Sequence, residues 1–92
     1  MPENLPPPED LAQIREDLTL LLLFLNGWEE GMSGFDKTWL RSWKGYDHGI
    51  LQVLAVKDLI QDSPSSKSVT LTDEGEARAK LLVKKYLENN NE

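Results

Sequence analysis

Asp47 and His48 place the chain's single imidazole next to a carboxylate, a pairing that in an active site orients a general base. Consecutive residues of a helix point in different directions, however. No second histidine and no cysteine is present to complete a metal site, and no Gly-x-Ser-x-Gly elbow supplies a nucleophile. Asp47 is better read as a helix N-cap and His48 as an exposed or partly packed side chain. No catalytic residue, metal ligand, cofactor or small-molecule ligand is expected, and an enzyme is the least favoured class.

The second constellation is Trp39, Trp43 and Tyr46 interleaved with Arg41 and Lys44, residue types that stack on bases and touch phosphates. The competing reading is packing, because Trp39 and Trp43 stand four apart, on one face of a helix. A chain with three Trp and two Phe needs them in its core, so packing is preferred. Gly27, Gly31 and Gly34 lack both dinucleotide-loop spacing and a phosphate-loop Lys-Ser/Thr ending, and are read as turn residues in a loop over 27–36.

These residues need elements to hold them. Pro8 suits the first turn of a helix, and Leu11, Ile14, Leu18, Leu21, Leu25 and Trp28 recur at spacings of three and four, predicting a helix over 8–28 with 1–7 extended or disordered. Leu20, Leu23 and Phe24 lie off that stripe, so this helix is apolar nearly all round. A short helix is predicted over 36–43, capped by Asp36 with Trp39, Leu40 and Trp43 inward. A central helix follows over 47–57, capped by Asp47. Two short β-favouring runs, 59–61 and 68–71, flank a turn containing Pro64 and read as a wing hairpin. Thr72 then caps a last helix over 73–87, whose first turn carries Asp73, Glu74 and Glu76, and a frayed tail covers 88–92. The order is that of an α-rich α+β, winged-helix-like domain, and 92 residues suffice for one modest core.

Charge is unevenly placed within a net −6. Residues 1–36 hold eight acids and one base, whereas 37–67 hold five bases (Lys37, Arg41, Lys44, Lys57, Lys67) and three acids. The acidic first third is taken as a solvated face rather than a dock for a basic partner. The weakly positive middle is far from a dense cationic footprint, so any DNA binding would be weak and salt-dependent. Its candidate contacts are Arg41, Lys44, His48, Gln52, Lys57 and Lys67. The longest apolar run, Leu20 to Leu25, is far short of the roughly 20 residues that span a bilayer, and the first residues lack a signal-peptide pattern, so a cytoplasmic protein is expected.

Arg41-Ser42-Trp43-Lys44-Gly45-Tyr46-Asp47, then Leu59-Ile60 and Lys67-Ser68-Val69-Thr70-Leu71-Thr72-Asp73-Glu74-Gly75, resembles an uncharacterised bacterial family, domain of unknown function 6429. His48-Gly49 stands where the family pattern has Trp and an acid, and Asp58 where it has Gly. The helix, Leu-Ile, turn, Val-x-Leu-Thr order is also similar to the wing region of MarR-type regulators, a resemblance implying dimers that read DNA with the helix before the wing. The reading preferred here is a protein interaction or dimerisation module, with weak DNA binding as the alternative. A homodimer is expected through Leu20, Leu23 and Phe24, the apolar surplus of the first helix.

Overall fold

The computed structural model describes residues 8–31 and 38–88. The expectations for 1–7, for the tail beyond 88 and for Asp36 as a cap lie outside them. The element order is α1 (Pro8–Leu25), β1 (Trp28–Gly31), β2 (Thr38–Trp43), α2 (His48–Val56), β3 (Ile60–Asp62), β4 (Ser68–Leu71) and α3 (Asp73–Tyr86). All strand pairs are antiparallel, in the order β1-β2-β4-β3. The class is mixed α+β, consistent with a winged-helix-like arrangement in which β3 and β4 form the wing.

Both shorter helices and the wing begin where local chemistry dictates. The Asp47 carboxylate accepts the Ile50 N–H at 3.1 Å, and the Thr72 hydroxyl accepts that of Gly75 at 2.9 Å, each satisfying a donor that a helical first turn leaves unpaired. α2 ends at Val56 with Lys57 as its C-cap, and Asp58, whose φ of 63° is left-handed, then reverses the chain into β3. α1 stops at Leu25, short of the expected Trp28, because Gly27 turns the chain into β1. A Cβ there would stand 2.8 Å from the Arg41 carbonyl oxygen and 3.0 Å from that of Leu23, an approach open only to glycine.

Two expectations fail in the same place. No helix covers 36–43 in the described part, since Thr38–Trp43 is strand β2, and the expected loop over 27–36 contains strand β1. A spacing of four returns a side chain to the same face of a strand as well as of a helix, so Trp39 and Trp43 could not discriminate. Their neighbours decide it: Leu40 and Ser42 alternate inward while Trp39, Arg41 and Trp43 point away from the helices.

The core lies between the three helices and the inner face of the sheet. Leu20, Leu21 and Leu23 of α1 meet Leu51 and Leu54 of α2, Ile60, Val69 and Leu71 of the sheet, and Ala79 and Leu82 of α3. This overturns the dimer residues proposed from sequence. Leu20 and Leu23 are 1% and 0% exposed and Phe24 packs against the core, so none is a free surface. The buried Asp17 ties α1 to α3, accepting from Tyr86 Oη and from Gln13 Nε2, both at 3.0 Å.

Candidate functional site

Strand register gathers the outward side chains into one face. Trp28 pairs with Arg41 and Glu30 with Trp39 across β1 and β2; Arg41 pairs with Thr70 and Trp43 with Ser68 across β2 and β4; Gln61 of β3 stands beside Thr70. Directly opposed residues share a face of the sheet, so Trp28, Trp39 and Trp43 belong to one surface with Arg41 near its middle. The helices pack on the other side. Trp43 remains 63% exposed, and its ring centroid lies 4.9 Å from that of Trp28 at a tilt of 47°, a favourable aromatic geometry.

Arg41 is held by its neighbours. Nη1 donates to Thr70 Oγ1 at 2.7 Å, Nη2 to Ser68 Oγ at 2.5 Å and to Ser66 Oγ at 3.2 Å, and Nε lies 3.5 Å from Glu30 Oε1. The guanidinium thus lies fixed in the sheet surface, its charge opposed by Glu30. A shallow depression of about 420 Å³ opens beside it, lined by Glu30, Gly31, Trp39, Arg41, Gln61 and Thr70. The face thus combines three Trp and one fixed Arg with a polar fringe of Glu30, Gln61 and Thr70.

The proposed nucleic-acid residues do not all meet. Lys44, His48, Gln52 and Lys57 line one open groove of about 970 Å³ between α2 and the wing, together with Val53, Val56, Asp62 and Pro64. Arg41 is on the outer face of the sheet, and Lys67 is exposed in the wing turn, its carbonyl accepting the Lys44 backbone N–H at 3.1 Å. The groove's cations are engaged: Lys44 Nζ reaches Asp62 Oδ1 at 2.6 Å and the Ser63 carbonyl at 2.9 Å, and Lys57 Nζ reaches Glu16 Oε1 at 2.6 Å. α2 is preceded in the chain by strand β2 and a four-residue link, where a helix-turn-helix has a helix and a short turn. Asp47 spends its carboxylate on the Ile50 N–H, which fits its reading as a cap.

A family model described as a domain of unknown function, DUF6429, matches residues 11–89. The chain belongs to that family. No curated protein and no solved structure matches the chain significantly. The DUF6429 match runs from α1 through α3, taking in both the tryptophan face and the α2 groove, and does not choose between them. No helix among the described residues is long and apolar enough to cross a membrane.

Sequence reasoning found the Trp and Arg interleaving but assigned the rings to the core, placed Trp28 on the stripe of the first helix, and missed Gln61. The signal for β2 was the two-residue alternation Trp39-x-Arg41-x-Trp43. For Trp28 there was none, because only pairing with β2 brings it onto the face.

Proposed function

We propose that this chain is a protein interaction module, binding rather than catalytic, whose docking surface is the outer face of the sheet. One observation carries the reading: three tryptophans and a pinned arginine stand together on a sheet face that no helix among the described residues covers. Trp43 leaves roughly 100 to 150 Å² in water, about 2.5 to 4 kcal/mol of burial on contact with a partner. The alternative, weak DNA binding through α2 and the wing, is disfavoured by the acidic partners that Lys44 and Lys57 already hold.

A peptide-display selection on the immobilised domain tests this, with Trp39→Ala and Trp43→Ala as counter-targets. Selected peptides are expected to lose at least about tenfold in affinity on either variant, an amount corresponding to ~1.4 kcal/mol. Peptides indifferent to both substitutions would refute the assignment of the face. Retention of mixed-sequence duplex DNA at physiological salt, sensitive to Gln52→Ala and Lys67→Ala, would install the alternative.

A further inference from the structure

The hydrogen-bond donors around Arg41 outnumber the acceptors that meet them. Two shallow depressions share Arg41, Gln61 and Thr70: one of about 420 Å³ runs towards Trp39, the other, of about 310 Å³, towards Ser66 and Ser68. A guanidinium carries five N–H groups. One faces Glu30, one goes to Thr70 Oγ1 and two go to Ser66 and Ser68 Oγ, which leaves one on Nη1. Each of the three hydroxyls accepts from Arg41 and so keeps a proton to donate. Ser66 and Ser68 Oγ lie 3.3 Å apart and share one of these. The Thr70 O–H, the second serine O–H and the Gln61 amide have no acceptor among the described residues. Ser68 and Thr70 are 6% and 9% exposed, so their hydroxyls are largely withdrawn from bulk water. The nearby acids are engaged, Glu30 by Arg41 and by Trp28 Nε1 at 3.4 Å, and Asp62 by Lys44.

We infer that this cradle takes the side-chain carboxylate of an acidic residue in the docking partner, with an adjacent ring of that partner lying against Trp39. The inference rests on the reading of this face as a docking surface and adds the chemistry that the face selects. An ionised carboxylate only accepts, so it answers a group of donors that lack acceptors. Hydroxyls that already accept from a cation are polarised and donate the more strongly. Charge decides between oxyanions. Arg41 is the cation of the cradle, Glu30 opposes it at 3.5 Å, and Lys44 is matched by Asp62. One positive charge, already partly balanced, suits a monoanion, whereas a phosphoryl group of nearly two negative charges would leave an excess beside Glu30 and Asp62. A partner without the acid leaves the donors unmet, which is how a site of this kind discriminates.

Chemical-shift titration of the full chain at constant ionic strength, following the tryptophan indole and arginine Nε–H signals, tests the cradle with benzoate, whose carboxylate and ring reproduce the two contacts. Benzamide is the neutral control. Benzoate is expected to saturate and to bind at least about tenfold more tightly than benzamide. Glu30→Gln, at an exposed position, is expected to tighten benzoate roughly threefold, the scale of one exposed ion pair, and Arg41→Gln to erase the preference over benzamide. Equal binding of the two probes, or no tightening in Glu30→Gln, would overturn the inference, as would inorganic phosphate binding more tightly than benzoate. Peptides selected on the domain separate this inference from the docking reading. They are expected to carry Asp or Glu beside an aromatic residue and to weaken about tenfold when that acid becomes Asn or Gln. Loss on amidation of the peptide C-terminus instead would overturn the side-chain source. Peptides without an acid that still depend on Trp39 and Trp43 would overturn the carboxylate and leave the docking face standing.

Discussion

Replacing Gly75 by Ala should unfold this domain at a markedly lower temperature, although alanine is the better helix former. Gly75 is buried in the first turn of α3, against the backbone that links α2 to β3. A Cβ there would stand 1.9 Å from the Leu59 carbonyl oxygen and 2.9 Å from its carbonyl carbon. Ordinary contact lies at about 3.5 to 4.0 Å, so α3 would have to retreat by roughly 1.5 Å. That retreat pulls on a compact clasp, in which the Thr72 N–H donates to Leu59 O at 3.1 Å and the Thr72 hydroxyl donates to Asp58 O at 2.7 Å. Overpacking costs about 1 to 3 kcal/mol and two weakened hydrogen bonds about 1 kcal/mol each, against a gain of about 1 kcal/mol in helix propensity. The net loss is about 2 to 4 kcal/mol, a fall in Tm of roughly 10 to 25 °C for a domain of this size. Urea and thermal unfolding followed by circular dichroism measure it, with Gly45→Ala as control, because a Cβ at Gly45 meets nothing within 4 Å. A Gly75→Ala protein as stable as the wild type would refute the clasp.

Three further outcomes are expected. Asp58→Gly relieves a left-handed residue at φ 63° and should gain up to about 1 kcal/mol in urea unfolding; no gain would mean the carboxylate compensates for the strain. Ser42→Ala removes a hydroxyl that is buried without a partner among the described residues, so stability should hold or rise, and a loss above about 1 kcal/mol would reveal a bond to that oxygen. Fluorescence anisotropy should detect little duplex DNA binding by the wild type, whereas Glu16→Gln with Asp62→Asn, which releases Lys57 and Lys44, should raise it at low salt; strong wild-type binding would contradict the paired-cation argument.

What the sequence revealed depended on how local each signal is. The starts of α2 and α3 were legible because Asp47 and Thr72 act within their own first turns, and the wing because Pro64 and its serines forbid a helix. β2 was not, because its tryptophan spacing suits two kinds of backbone. β1 exists through its pairing, and four residues beside glycines give no periodicity to read. The orientation of α1 escaped for another reason: a helix apolar all round has no phase, so the buried arc was taken for the surplus and the exposed Leu18 and Leu25 for the core. At the candidate site the chemistry was visible and its address was not.

The strand order leaves two edges, and what stands on them bears on how this sheet avoids its own kind. An uncovered sheet with an unpaired edge is a template on which another chain can add a strand. β3 is only three residues long, and its Asp62 is occupied by Lys44. β1 is the open side, and it exposes Glu29 and Glu30 in succession beside Trp28. A second β1 laid alongside would bring four carboxylates together against one row of hydrogen bonds. Like charges so placed oppose extension of the sheet at its rim.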